Sequence, residues 1–216
     1  MEKKFWSDSW DIGGHKTSFH KRNVHPYILK HFSPEKLKNK RVLVPLCGKS
    51  VDLMYFREHA AHVIGVEFVT KAVEQFFEEQ QLPYSKEGNT YFAEKLTMIN
   101  SDFFTVSIND VGHIDLAYDR ASLVALPLDL RIKYIKKVNE LLPIGSAQFV
   151  NTLEYHPLKL EPPFSIHPKE VEDYYDNSYS IKHLENQAVE NHGLKRVWGL
   201  DYVKEHGFLL TKTKVA

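Results

Sequence analysis

Apolar residues follow two different periods along this chain, and the alternation between them predicts a sheet flanked by helices. Apolar runs of strand length occupy residues 41–46, 63–66, 113–118 and 145–151. Apolar residues with helical spacing occupy residues 25–32, 51–59, 69–80 and 128–142. Because alternating strands and helices build parallel sheets with right-handed crossovers, we predict an α/β fold with a doubly wound, mostly parallel sheet.

Other regions depart from this alternation. Residues 180–184 and 202–213 are strand-like with little helix between them, so they should pair antiparallel at one edge of the sheet. Residues 90–99 favour a further pair of short strands. The proline-rich residues 157–168 predict a loop that crosses one face. We expect function at the carboxyl ends of the parallel strands.

The first strand run ends in the turn Leu46-Cys47-Gly48, and the second ends in an acid, Glu67, nineteen residues after the glycine. A carboxylate at the tip of the second strand of a βαβ unit can accept hydrogen bonds from both hydroxyls of an adenosine ribose. The spacing from Gly48 to Glu67 fits one crossover helix. It predicts a site for an adenosine-containing cofactor, with a helix N-terminal acid as the simpler alternative.

The residues around this turn argue against phosphate-binding loops. The turn continues like a P-loop, but Leu43 stands where such a loop needs its first glycine. A dinucleotide site needs three glycines, whereas Gly48 is the only glycine between Gly14 and Gly65. An adenosyl ligand without phosphates fits better. S-adenosylmethionine is the common one, and NAD(P) stays open as the alternative.

Two more strand ends carry acids, at Asp102-Phe103 and Asp119-Arg120. They should reach the same edge of the sheet as the first two turns. Asp102 fits either a turn cap or a place beside the adenine, where Phe103 would add apolar contact. Cys47 has no histidine near it in sequence, which favours a turn residue over a nucleophile.

Composition narrows the choice of partners. The 28 basic and 28 acidic side chains balance, so no long-range field would attract nucleic acid or an anionic membrane. The chain has no apolar stretch of signal-peptide or membrane-span length, and its single cysteine fits a reducing compartment, so we expect a cytoplasmic protein. The twelve histidines match no zinc motif, so we expect no metal. The 216 residues suit one domain, which we expect to be monomeric.

Several segments resemble those of the thiopurine S-methyltransferases, specifically the bacterial members, over nearly the whole chain. They are Phe5-Trp6 with Trp10, Phe19-His20, residues 45–50 with Asp52, and residues 65–67, 72–77, 102–104, 118–121, 124–126 and 162–164. The Pro-Leu-Cys-Gly-Lys segment is the most specific of these. The resemblance implies a seven-stranded, Rossmann-like class I methyltransferase domain over residues 1–216, with an N-terminal lid at residues 1–34.

The resemblance also implies a reaction and a site. The methyl group of S-adenosylmethionine would pass to the sulfur of a small aromatic or heterocyclic thiol, such as a thiopurine, leaving S-adenosylhomocysteine. With the turn glycine included, the cofactor site would consist of Trp10, Leu46, Gly48, Glu67, Asp102, Phe103 and Arg120. The acceptor would face Phe19, Arg120, Pro163 and Phe164.

Little acid or base chemistry is required, because heteroaromatic thiols are substantially ionised near neutral pH. Our hypothesis is that Arg120 favours the thiolate or orients the acceptor ring, with Asp119 a second candidate for taking a proton. Two alternatives stay open. One is a methyltransferase for sulfide, halide, selenium or tellurium compounds, and the other is a non-catalytic protein that binds S-adenosylmethionine.

The chain departs from the family pattern in two places. Between Trp10 and Phe19 it is two residues longer than the vertebrate pattern, with Gly13-Gly14 in the added region, so the lid is expected to differ. Leu194 stands where some members carry an arginine, and either adjacent cation, Lys195 or Arg196, is a candidate substitute.

Overall fold

The structure, a computed structural model, describes residues 3–13, 21–175 and 178–214. The chain divides into two compact units, residues 1–116 and residues 117–216. The strands of the first unit are β1 (Arg41–Pro45), β2 (His62–Glu67), β3 (Ser85–Glu87), β4 (Thr90–Ala93) and β5 (Leu96–Asn100). Its helices are α1 (Lys3–Ile12), α2 (Pro26–His31), α3 (Pro34–Leu37), α4 (Asp52–His59), α5 (Thr70–Glu79) and α6 (Ile108–Val111), with a 3-10 turn at Phe103–Thr105.

The second unit begins within a strand that follows the first unit directly. Its strands are β6 (Leu116–Arg120), β7 (Ala147–His156), β8 (Tyr179–Ala188) and β9 (Tyr202–Lys212). Its helices are α7 (Ser122–Ala125), α8 (Leu128–Leu141), α9 (Pro168–Tyr175) and α10 (Gly193–Trp198). In the parts of the chain that the structure describes, no helix has the length and apolar character needed to cross a bilayer.

The described strands belong to one nine-stranded sheet in the order β3, β4, β5, β2, β1, β6, β7, β9, β8. Strand β2 pairs in parallel with both β1 and β5, whereas β9 pairs antiparallel with both β7 and β8. The predicted α/β class and the predicted antiparallel C-terminal pair are confirmed. The strand pair predicted at residues 90–99 is confirmed as β4 and β5. The predicted number of seven strands is wrong: the sheet has nine, and it ends at β3, an unpredicted strand that pairs with β4.

A two-residue turn, Gly88-Asn89, explains the additional hairpin. Glu87 faces Thr90 across this turn, and Gly88 has a φ of +59°. Tight hairpin turns need left-handed backbone at the first turn residue, and glycine adopts it without a steric penalty. The three residues of β3 are all exposed, so the strand carries no apolar pattern that sequence periodicity could detect.

The central strands of the first unit are buried on both faces, as expected for parallel strands covered by helices. Every residue of β1 after Arg41 and of β2 after His62 is buried. The predicted helices at residues 51–59 and 69–80 are confirmed as α4 and α5, and the apolar face of α5 buries Phe76 and Phe77 almost completely.

The second unit relies on long antiparallel strands and on helices that follow loops. The predicted helix at residues 128–142 is confirmed as α8, and the strand predicted at 145–151 extends to His156 in β7. The predicted loop is confirmed for residues 157–167, but Pro168 begins α9. A first helical turn tolerates proline, and Val171 and Tyr175 bury the apolar side of this helix. Helices α9 and α10 are short, and the prediction did not contain them.

Candidate cofactor and acceptor sites

The turn after β1 has an unusual backbone. Leu46 has a φ of +48° and Gly48 a φ of +53°, both in the left-handed region. For a leucine this conformation is strained, and such strain in proteins concentrates at ligand-binding sites. The amide of Cys47 still donates to the carbonyl of Val66 on β2 (3.1 Å), which keeps the turn against the neighbouring strand.

Glu67, the last residue of β2, accepts hydrogen bonds from the backbone amides that surround it. The Gly48 amide donates to its Oε2 (2.9 Å) and the Val69 amide donates to its Oε1 (2.8 Å). Burial raises the pKa of Glu67, and the amides of Val69, Gly48 and Phe68 partly lower it. A carboxylate has about four acceptor positions, so the side chain can still accept a hydrogen bond from a ribose hydroxyl.

Trp10 on α1 packs directly against this turn. A Cβ atom at position 48 would lie 3.0 Å from the Cζ2 atom of the Trp10 ring, so a larger residue would crowd this ring as well as strain the backbone. The indole is 5% exposed and contacts Val69 and Ala72. The ammonium of Lys49 lies 5.8 Å from the indole centroid, within the range of a cation–π contact.

Asp102 and Phe103 follow β5, whose last residue Asn100 is in register with Glu67. The Asp102 carboxylate accepts a hydrogen bond from the Phe104 amide (3.1 Å), so the side chain caps the 3-10 turn. Phe103 is 1% exposed. The expected turn cap is therefore present, and a place beside the adenine for this backbone stays a prediction.

Cys47 packs as an apolar residue in the first unit. Its Sγ lies 4.0 Å from the Sδ of Met98, and a Cβ atom at Gly65 would approach the thiol to 2.9 Å. Burial first, and then the charge of Glu67, raise the pKa of the Cys47 thiol well above its usual range. Thiolate is the nucleophilic form, so this cysteine is not set up to attack a substrate.

In the second unit, Asp119 is buried and already has several donors. Its Oδ1 accepts from the amides of Ser122 (3.2 Å) and Leu123 (3.4 Å), and its Oδ2 accepts from the Tyr134 hydroxyl (2.7 Å). Burial raises the pKa of Asp119 to about 6, and these donors partly offset that shift. Arg120 is the half-buried last residue of β6.

The chain turns sharply after Arg120. Ala121 has a φ of +69°, which is left-handed backbone for a residue with a side chain, and α7 begins at the next position. The two amides that donate hydrogen bonds to the Asp119 carboxylate belong to the first residues of α7. The carboxylate therefore stabilises this turn.

The proline-rich loop of residues 157–167 is fastened within the second unit. The Phe164 amide donates to the Val124 carbonyl (2.7 Å), and the Tyr155 hydroxyl donates to the Pro163 carbonyl (2.7 Å). Both predicted acceptor residues, Pro163 and Phe164, are half-buried. The guanidinium of Arg131 lies 5.9 Å from the centroid of the Phe164 ring.

Sequence comparison shows what kind of protein carries these sites. A family model described as thiopurine S-methyltransferase matches residues 1–213 of the 216 residues. The chain belongs to the thiopurine S-methyltransferase family. The predicted family is thus confirmed, and with it the prediction of an S-adenosylmethionine-dependent methyltransferase.

Individual relatives of this thiopurine S-methyltransferase family member span most of its length. Thiopurine S-methyltransferase of Shewanella amazonensis is 36% identical over 195 residues and covers 88% of both chains. That of Pseudomonas fluorescens is 38% identical over 195 residues, again with 88% of both chains. Among solved structures, a SAM-dependent methyltransferase of Methanosarcina mazei has a TM-score of 0.64 at 13% identity, over 88% of this chain and 99% of that chain. The last match shows a shared fold.

The structure of this family member brings together most of the predicted cofactor residues of the first unit. Trp10, Gly48 and Glu67 are linked by direct contacts, and β5 delivers Asp102-Phe103 beside the end of β2. In the second unit, Arg120 is placed next to Asp119 by sequence. Phe19 and Gly14 lie outside the described residues, so the lid and the acceptor contact of Phe19 stay predictions.

The predicted substitutes for the family arginine at position 194 lie on or near the surface. Leu194 itself packs against the buried cluster of Tyr155, Leu200 and Val203. Lys195 forms an ion pair with Glu190 (2.7 Å), and Arg196 is exposed. Whether either cation replaces the family arginine stays open as a prediction. Among the described residues, no group of three or more potential ligands could hold a metal ion.

Three residues near these sites carry no signal of their role in the sequence of this family member. Lys49 belongs to the Pro-Leu-Cys-Gly-Lys segment, which does not predict its contact with Trp10, whereas Tyr134 and Arg131 lie inside a helical pattern that predicts α8 and nothing more. Both α8 residues contact partners more than ten positions away in sequence, Tyr134 with Asp119 and Arg131 with Tyr174. Periodicity cannot reveal such contacts.

Proposed function

We propose that this methyltransferase transfers the methyl group of S-adenosylmethionine to the sulfur of a small aromatic or heterocyclic thiol. The observation that supports S-adenosylmethionine as the methyl donor is the hydrogen bond from the Gly48 amide to Glu67, in a turn that packs against Trp10. For the acceptor half, the support is the name of the relatives, thiopurine S-methyltransferase, together with an aromatic loop at Pro163 and Phe164.

The reaction is an in-line displacement at carbon. The thiolate sulfur of the acceptor forms a bond to the methyl carbon, while the bond from that carbon to the sulfonium sulfur breaks and its electron pair stays on S-adenosylhomocysteine. Both products are neutral at sulfur, so the protein has to orient the two sulfur atoms and exclude water. An aromatic thiol loses its proton to solvent near neutral pH, and the protein need not supply a strong base.

We assign the two charged residues at the end of β6 different roles. Arg120, half-buried after the strand, would stabilise the thiolate or orient the acceptor ring. Asp119 is the second candidate for taking a proton. Because its carboxylate is buried and already accepts four hydrogen bonds, including one from the Ser122 hydroxyl, these contacts favour a role in holding the turn at Ala121 over proton transfer.

In this proposal Glu67 binds the ribose, the turn at Leu46 and Gly48 accommodates the methionine part, and the Asp102-Phe103 backbone faces the adenine. Trp10 covers the cofactor. The proposal includes a metal-free, monomeric and cytoplasmic enzyme made of one domain.

The proposed function can be tested by methyl transfer from labelled S-adenosylmethionine to a panel of acceptors. The panel contains thiophenol, 6-mercaptopurine, sulfide, iodide and selenite, and Glu67→Gln serves as the background control. We expect the highest kcat/KM with the two aromatic thiols. Preferred transfer to sulfide, iodide or selenite would replace the acceptor class, and cofactor binding without any transfer would favour a sensor.

A further inference from the structure

Arg131 is buried where arginine is rarely found. The residue is 5% exposed on α8, and arginine is almost never fully buried unless its guanidinium has partners. Its Nη2 donates to the Leu126 carbonyl (3.2 Å) and its Nη1 donates to the Tyr174 hydroxyl (3.0 Å). Its Nε is buried without a hydrogen-bond partner among the described residues. A buried donor that stays unsatisfied is costly, so the placement of this side chain needs a reason beyond its hydrogen bonds.

The hydrogen-bond partners of Arg131 come from two separate parts of the second unit. Leu126 precedes α8, and Tyr174 belongs to α9, the helix that follows the loop. Tyr174 itself donates to Oε2 of Glu170 (3.1 Å), and Nη1 of Arg131 lies 3.7 Å from the same oxygen. The guanidinium therefore ties the start of α8 to α9.

The proline-rich loop, which joins β7 to α9, presents an aromatic ring to the same guanidinium. The centre of the guanidinium lies 5.9 Å from the centroid of Phe164 and 5.9 Å from that of Tyr174. Guanidinium groups attract the faces of aromatic rings, and more strongly where water is excluded. Arg131 thus places a buried positive charge beside the Phe164 ring.

Backbone hydrogen bonds hold the main chain of the loop, but they do not set the orientation of the Phe164 ring. The amides of Phe164 and Ile166 donate to the carbonyls of Val124 and Leu153, both at 2.7 Å. These bonds do not define the plane of the Phe164 ring, because rotation about its side-chain bonds does not change them. They open when the loop moves locally, and we expect Arg131 to limit that movement because it joins α8 to α9, the helix that directly follows the loop.

We propose that Arg131 is a positioning residue for the acceptor, which sets the orientation of the Phe164 ring through its guanidinium face. This inference depends on the proposed function only in assuming that Phe164 contacts the acceptor. Its structural part, the coupling of Arg131 to Phe164 and the loop, is independent of which nucleophile is methylated.

The structural part is tested by hydrogen exchange in Arg131→Met and Arg131→Lys, with no substrate present. We expect the amides of Phe164 and Ile166 to exchange roughly tenfold faster in Arg131→Met, while amides of β9 keep their wild-type rates. Arg131→Lys should fall between the two, because one ammonium cannot donate to two partners and cover a ring. Unchanged exchange in the loop, or equal acceleration in β9, would overturn the proposal.

The functional part is tested by steady-state kinetics and a double-mutant cycle with Phe164→Leu. We expect Arg131→Lys to raise the KM of an aromatic thiol roughly fivefold with little change in kcat or in the dissociation constant of S-adenosylhomocysteine. In a Phe164→Leu background the same substitution should have no further effect on KM. Additive effects, or an equal rise in KM with Arg57→Met, the surface control that pairs with Glu94, would contradict it.

The two parts separate this inference from the proposed function. If no thiol is methylated but the loop amides respond to Arg131→Met, the acceptor assignment fails and the coupling stands. If thiols are methylated but neither exchange nor KM responds to substitution of Arg131, the acceptor assignment stands and the positioning role fails.

Discussion

Each unit buries a carboxylate near the end of a strand, but the two carboxylates are held in different ways. Glu67 in the first unit accepts one backbone amide on each oxygen, from Gly48 and Val69. Asp119 in the second unit accepts two amides on one oxygen and the Tyr134 hydroxyl on the other. Burial raises the pKa of both groups.

The two carboxylates differ in the segments that they join and in the hydrogen-bond acceptor positions that remain unused. Glu67 connects the turn after β1 to the start of α5, and with three amide donors its carboxylate keeps one of about four acceptor positions for a ligand. Asp119 closes a turn within its own chain segment, and its Oδ1 has no capacity left. We infer that a ligand engages the first carboxylate, whereas the second supports the residue beside it, Arg120.

Replacement of Glu67 should have the largest effect. In Glu67→Gln one face of the side chain becomes an NH2 group, which cannot accept from an amide or from a ribose hydroxyl. We expect the dissociation constant of S-adenosylhomocysteine to rise about 300-fold, because hydrogen bonds to a charged group contribute roughly 1.5–3 kcal/mol each. Isothermal titration calorimetry measures this. Glu94→Gln, at an exposed glutamate, is the matched control, and wild-type affinity in Glu67→Gln would refute the ribose assignment.

Asp119→Asn should alter the pH dependence of the unfolding free energy without changing the affinity for the cofactor. A carboxyl whose pKa rises on folding stabilises the fold fully below its unfolded pKa near 3.8, and this contribution is lost as pH rises through about 6. Between about pH 4 and pH 7 the wild type should therefore lose roughly 2–3 kcal/mol relative to Asp119→Asn. Urea unfolding at several pH values measures the difference.

The result for Asp119→Asn separates the two carboxylates directly. If the unfolding free energies of variant and wild type run parallel from pH 4 to pH 7, the raised pKa is refuted. If the variant also binds S-adenosylhomocysteine as weakly as Glu67→Gln, Asp119 contributes to the donor site, and the contrast between the two units disappears.

Arg120→Met should affect the acceptor side by a smaller amount. Loss of one cation beside a thiolate should lower kcat/KM for an aromatic thiol about tenfold, the effect of one charge-assisted hydrogen bond. Cofactor binding should survive, as measured by calorimetry, with Arg57→Met as the control. Unchanged turnover would remove Arg120 from the mechanism, whereas loss of cofactor binding alone would place it on the donor side.

The two sites also differ in how far the sequence predicts them. The proposed donor site is built from the ends of two strands joined by one crossover helix, so the spacing from Gly48 to Glu67 in the sequence predicts its geometry. The proposed acceptor side involves Tyr134 and Arg131, which contact partners 15 and 43 positions away through tertiary packing. The hairpin at Gly88 escapes prediction for another reason: its outer strand is exposed and has no apolar period.

The smallest expected effect concerns the contact that holds α1 over the donor turn. Lys49 lies over the Trp10 ring, donates to Gln75 Oε1 (3.0 Å) and pairs with Glu79, and its side chain is 13% exposed. Lys71 also binds α1, through Asp11 (3.2 Å), but on the surface, where ion pairs contribute little.

Lys49→Met should raise the dissociation constant of S-adenosylhomocysteine about fivefold, because a partly buried cation–π contact contributes roughly 1 kcal/mol. Lys71→Met should leave it unchanged, and the KM for the thiol should respond to neither variant. Calorimetry on the two variants compares a buried and an exposed attachment of the same helix. Equal effects would mean that α1 is held by net charge, and a rise in thiol KM with Lys49→Met would show that Lys49 also acts on the acceptor side.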